Sequence, residues 1–176
     1  VLAPRMNPRE QSQIAILQKI LTGQGSTAYP AILEHLKTWP RDVMVLAPIT
    51  GVFGLIGFSG KADREIQQLA VLEPFAAAYG DDWWYRAALA FAEIELHKFD
   101  QGLHNIEIAL RGNPRNANAA HIRAHLYSEL GEKREGLAWL RNWSSDYSRE
   151  GAMHCHISWH QAIWLLETGR HGEAWA

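Results

Sequence analysis

Cysteine is almost absent from this sequence: Cys155 stands alone, so no internal disulfide can form and a reducing cytoplasm is the expected compartment. Clustered positive charge is equally scarce. The formal net charge is −2, and no run of Lys and Arg exceeds two residues. Phosphate recognition draws on clustered cations, so no nucleic-acid partner is expected. No charged segment followed by an apolar run opens the chain, and no signal peptide is expected. The most lipid-like stretch, Val43 to Phe58, is shorter than the roughly 20 apolar residues a membrane helix needs and contains Pro48, Gly51, Gly54 and Gly57. A buried helix is expected there, and no membrane partner. G-x-S-x-G is missing, and G-Q-G-S at Gly23 to Ser26 reads as a turn between helices and not a phosphate loop.

What the chain has in plenty is punctuation. Turn residues fall at Gly23, Gly57, His97, Gly131 and Gly169, spaced by 34, 40, 34 and 38 residues. Five residues beyond each lies a small one: Ala28, Ala62, Gly102, Gly136, Ala174. Seventeen beyond the first three lies a proline: Pro40, Pro74, Pro114. Alanine stands seven residues before the last three turns, at Ala90, Ala124 and Ala162. Small residues suit closely crossing helices, and proline ends a helix because it lacks the amide proton. A period near 34 with these marks resembles the tetratricopeptide repeat.

The fold expected is therefore an all-α, tetratricopeptide-like α-solenoid of about five helix pairs, the last incomplete, forming a single repeat domain over 1–176. First helices are predicted over 8–21, 42–56, 83–96, 117–130 and 152–168. Second helices are predicted over 26–38, 60–72, 100–112 and 134–142, with a last one begun after Gly172. Residues 75–82 read as a longer loop. Since a solenoid needs its last apolar face covered, the chain is expected to be part of a longer one or to be capped by another. Trp164, Leu165 and Trp175 are expected on that open end, which makes it a candidate homo-oligomer contact.

Nine histidines are many for this length, and four form two i, i+4 pairs, His121/His125 and His156/His160. Residues four apart share one helix face. Counted back from their turn residues at about 100° per residue, these four and Glu95 fall within an arc of about 100° on three successive first helices. The packing alanines lie outside it. Trp84, Phe91 and Trp159 share the arc as apolar walls. The leading expectation is a binding module whose concave face takes a peptide or small-molecule ligand; the alternative is an enzyme using the His/Glu cluster on that face, with or without a metal, and a structural polar seam also stays open. Four imidazoles with a carboxylate suit zinc or another divalent transition metal. The zincin pattern H-E-x-x-H is absent, since Ile122 and Ile157 stand in the glutamate's place. Cys155 points off the arc and reads as a packed thiol. The eight tryptophans serve equally for helix packing and for lining a groove.

Three blocks carry a resemblance to a known family. They are A-F-A-E-I-E-L-H-K-F-D-Q-G-L from Ala90, H-I-R-A-H-L-Y-S-E-L-G-E-K-R-E-G-L-A-W-L from His121, and C-H-I-S-W-H-Q-A-I-W-L-L-E-T-G from Cys155. In order and spacing, over about Trp39 to Trp175, the chain looks like the N-terminal portion of the tetratricopeptide repeat protein 38 family. The resemblance implies the helical-repeat fold and places histidine pairs at the same two positions, with Glu95 matching one of an acidic pair. Ile94 takes the place of the other acidic residue, and Ser128 stands where the family usually has glutamate.

Overall fold

The computed structural model describes residues 6–175, in which every regular element is helical and no strand occurs. The chain divides into two compact units, one running to Gly80 and the other starting at Asp81.

The first unit opens with helix α1, Pro8–Leu21, which begins where the sequence provides a complete N-terminal cap. The Asn7 side chain accepts from the Glu10 amide, and the Glu10 carboxylate accepts from the Asn7 amide. Helix α2, Gly25–Thr38, completes the pair and buries Ala28, Ile32 and Leu36. The next predicted helix, 42–56, does not form. Helix α3 covers only Val43–Leu46, followed by a single 3-10 turn over Ala47–Ile49. Pro48 and three glycines explain the break. Gly51 adopts a left-handed φ of +76°, and a Cβ on Gly54 or Gly57 would collide with the backbone of Thr50 or Gly51. The segment folds tightly back on itself, burying Val45, Leu46, Ile49 and Ile56 but leaving Phe53 and Phe58 exposed. The expected buried helix is thus a compact irregular turn. No helix among the described residues is long and apolar enough to cross a membrane.

Further expectations fail in this unit. The left-handed residue before α4 (Arg64–Leu72) is Gly60 and not Gly57, and Ala62 is exposed and not at a helix crossing. Pro74 does not end a helix. It sits in the first turn of a 3-10 segment, Glu73–Phe75, where no amide proton is needed, and the chain continues into α5, Ala76–Tyr79. The predicted loop over 75–82 is therefore partly helical.

A buried carboxylate ties this unit together. Asp42 accepts from Arg9 Nε at 2.7 Å and from Gln13 Nε2, both on α1, and lies 2.9 Å from His35 Nε2 on α2. His35 Nδ1 lies 2.8 Å from Ser12 Oγ. Burial alone would raise the Asp42 pKa, but the hydrogen bonds from Arg9, His35 and Gln13 together hold it at about 2. The Ser12–His35–Asp42 order has the composition of a hydrolytic triad without its setting. His35 and Asp42 side chains have no exposure, and Arg9 and Gln13 already occupy the carboxylate. It is a structural lock.

The second unit is regular. Helices α6 (Trp83–Glu95) and α7 (Phe99–Gly112) form one pair, and α8 (Ala117–Glu129) and α9 (Lys133–Ser144) the next. Helix α10 (His154–Glu167) is followed by the single turn α11, His171–Ala174. Each turn closes in the same way. His97, Gly131 and Gly169 are left-handed, and the following amide reaches back five residues: Lys98 to Glu93, Glu132 to Tyr127, Arg170 to Leu165. Gly23 with Gln24 to Lys19 repeats the motif in the first unit.

The small residues after two of these turns are there for space. A Cβ on Gly102 would lie 2.5 Å from Ile94 Cγ1, and one on Gly136 would lie 2.8 Å from Tyr127 Cβ. Helix α8 is packed on two flanks. Ala119, Ile122 and Leu126 join a core with α6 and α7, while Ala120 and Ala124 join another with Leu137, Leu140, Ile157 and Trp164. The second core corrects the expected open end. Trp164 and Leu165 are buried, and only Trp175 of the three residues assigned to that face is exposed. Burying an indole of this size contributes on the order of 2 kcal/mol, and the α9–α10 crossing is where that gain is available.

Candidate functional site

Helix α8 leaves one stripe between its two apolar flanks, and His121 and His125 occupy it a turn apart. Asn116 fixes where that helix starts by accepting from the Ala119 amide at 3.2 Å. On α10 the inward stripe is Ile157, His160 and Trp164, spaced i, i+3, i+7, so His160 stands where an apolar residue would be expected. His160 is accordingly buried, His121 and His125 are half-buried, and His156 at the mouth is exposed.

The four imidazoles meet. One ring nitrogen from each lies within 4.8 Å of the other three. His121 Nε2 is 2.8 Å from both His125 Nε2 and His156 Nε2. Ring centroids of His160 lie 5.1 Å from those of His121 and His125 and 5.0 Å from that of His156. Glu95, at the end of α6, places Oε1 3.6 Å from His125 Nδ1. Phe91, one turn earlier, meets the His125 ring edge-on at 6.2 Å. Trp159 stacks on His156 at 5.5 Å and meets His160 at 5.0 Å. Seven of the eight residues predicted for the site are thereby brought together. Trp84 is not among them: it begins α6, about 16 Å along the helix axis from Glu95.

The proton arrangement is the informative feature. A ring nitrogen carries either a proton or one in-plane lone pair, so it makes one good hydrogen bond. His121 Nε2 faces two nitrogens at hydrogen-bond distance and can satisfy only one. His160 Nε2 is buried with no hydrogen-bond partner among the described residues. No assignment of protons satisfies all four rings. Four lone pairs around a cation would.

Electrostatics favour the same state. Burial is the main cause lowering His121 to about 3 and His160 to about 4, with the neighbouring imidazoles adding to it. His156 is lowered too, by burial and by His125. Neutral imidazole is the form that binds metal.

Sequence reasoning placed Cys155 as a packed thiol, and the structure corrects this: it is exposed, because Ile157 and His160 take the inward stripe of α10. It also missed Trp164, whose ring lies 6.1 Å from His160 and whose Nε1 donates to Ser128 Oγ at 3.1 Å. That bond accounts for serine at position 128. Ile94, fully buried beneath Gly102, is likewise a packing residue. The Ile157–His160–Trp164 spacing was the available signal for a histidine in the core.

No protein-family model matches the chain. Among solved structures it is similar to a crystal structure of MamA protein, with a TM-score of 0.66 at 16% identity over 94% of this chain and 85% of that one. MamA AMB-1 gives 0.58 at 19% identity, covering 94% and 85% of the two chains. MamA MSR-1 gives 0.59 at 17%, covering 94% and 90%. At these identities the likeness speaks for architecture alone, and with the repeated turns described above it shows that the chain is an all-α, tetratricopeptide-like helical repeat protein.

Proposed function

We propose that this helical repeat protein binds a divalent transition metal, zinc foremost, through His121, His125, His156 and His160. The observation that carries the reading is that one nitrogen from each of four imidazoles lies within 4.8 Å of the other three, while His160 Nε2 is buried without a hydrogen-bond partner among the described residues. Tetrahedral zinc with nitrogens at about 2.0–2.1 Å needs ligand separations of about 3.4 Å. The present separations run from 2.8 Å to at most 4.8 Å, so small ring rotations convert the cluster into a coordination sphere. The cation would supply positive charge and Lewis acidity at a surface built by first helices of adjacent repeats.

The test is metal analysis of freshly purified protein with chelator-competition titration. One zinc per chain is expected, with His160→Ala and His125→Ala each losing it. Failure of the wild-type chain to take up zinc, nickel or copper at micromolar concentration would sink the proposal.

A groove for a peptide or small-molecule ligand is the second reading, favoured by Trp159, which is 54% exposed beside the cluster. The likeness of the three blocks to the tetratricopeptide repeat protein 38 family is compatible with either. In the groove reading Trp159→Ala abolishes partner binding and leaves metal content unchanged.

A further inference from the structure

We infer that Glu95 is a positioning residue for the histidine cluster: its carboxylate holds His125 in the Nδ1–H tautomer and so frees the His125 Nε2 lone pair for a cation. The affinity part of this inference rests on the metal reading above, whereas the tautomer part does not.

His125 has two nitrogens and, when neutral, one proton to place between them. Its Nε2 points into the cluster, 2.8 Å from His121 Nε2, and its Nδ1 points away toward Glu95 Oε1 at 3.6 Å. With the proton on Nε2, His125 donates to His121 and consumes the lone pair that would face a metal. That arrangement is a hydrogen-bonded seam. With the proton on Nδ1, the carboxylate accepts it and Nε2 is left bare. A charged acceptor strengthens such a bond relative to a neutral one. The 3.6 Å separation closes to hydrogen-bond length with a small rotation of either side chain. Both are only about a third exposed, so water competes weakly for the bond.

An aromatic side chain flanks the same ring. Phe91, on the same face of α6 one turn before Glu95, abuts the His125 ring at an interplanar angle of 81°. Helix α6 therefore presents an apolar stop and a carboxylate to one imidazole, the arrangement by which an outer carboxylate orients a metal-bound histidine. Glu95 thus biases His125 toward the form whose Nε2 can accept from a neighbouring imidazole or face a cation.

The experiment uses the full chain, isotopically labelled and stripped of metal. Imidazole nitrogen chemical shifts report the tautomer of His125 in the wild type, Glu95→Ala and Glu95→Gln. The wild type should show the Nδ1–H form and Glu95→Ala the Nε2–H form. Glu95→Gln, which keeps an acceptor oxygen, should restore Nδ1–H. Zinc affinity should fall roughly 10- to 100-fold in Glu95→Ala, with recovery in Glu95→Gln. An unchanged tautomer in Glu95→Ala overturns the inference whatever happens to zinc. A wild type that takes no zinc removes the metal reading, while the tautomer comparison still decides the role of Glu95.

Discussion

His160 illustrates how one residue sets the character of a site. An imidazole in the inward stripe of α10, between Ile157 and Trp164, gives up hydration at Nε2 without a hydrogen bond to that atom among the described residues. Orphaned buried polar groups cost about 1–3 kcal/mol each. Burial separately penalises the protonated form, and the neighbouring imidazoles add to it, hence a pKa of about 4 for His160 and about 3 for His121. The sign of the pH effect follows. Both folded values lie below the ordinary 6.5, so the unfolded chain binds protons first. Stability is full above pH 6.5 and falls as the pH drops through the window down to about 3–4. Metal-free protein should therefore melt at progressively lower temperature between pH 6.5 and 4. His160→Phe, which removes one of the three lowered groups, should flatten that dependence. A melting temperature independent of pH across this window would contradict the burial argument.

Among the elements, two devices hold helices together differently. Asp42 locks α1 and α2 to the start of α3 through a carboxylate with three partners. Its pKa of about 2 against an ordinary 3.8 means its contribution is present above pH 4 and lost as the pH falls toward 2. A shift of that size corresponds to about 2 kcal/mol. Asp42→Asn should remove this acid-sensitive part, and denaturant melts at pH 5 and pH 3 read the difference. Equal pH sensitivity in both proteins would mean that the lock contributes nothing. In the second unit the crossings are made by absence of bulk: Gly102 lets α7 settle on Ile94, and Gly136 admits Tyr127 and Trp164 beside α9. The histidines add a link of another kind, joining α8 directly to α10 across the helix between them in sequence.

That link makes a prediction about the molecule as a whole. A cation bound only by the folded state stabilises by mass action, about 2.7 kcal/mol at a hundredfold excess over its dissociation constant. For a chain of this size this corresponds to roughly 5–10 °C in melting temperature. Zinc should produce that rise in the wild type, and chelator should reverse it. His121→Ala should abolish it. A structural seam predicts no response to zinc, which calorimetry distinguishes directly. Because the chain forms two units, the first need not respond, and a transition that splits on adding zinc would assign the gain to the part after Asp81.

The repeats are legible in the residues wherever local chemistry decides local structure. The caps at Asn7, Asp82 and Asn116 and the left-handed turns at Gly23, His97, Gly131 and Gly169 are short-range features, and helix starts and stops follow from them. The i, i+4 spacing also placed each histidine pair on one face. Where several glycines met Pro48, the periodic pattern misled, because tight backbone approach in 50–57 depends on which atoms come near and not on hydropathy. The depth of each side chain depends on packing between helices: Trp164 and Leu165 are inside, Cys155 is outside, and Trp84 is away from the cluster. The tertiary structure alone also showed that His121 Nε2 faces two imidazole nitrogens at once and that His160 Nε2 is buried without a partner among the described residues. Angle around one helix is written in residue spacing, whereas distance between side chains of α8 and α10 is fixed by how both helices pack against α9.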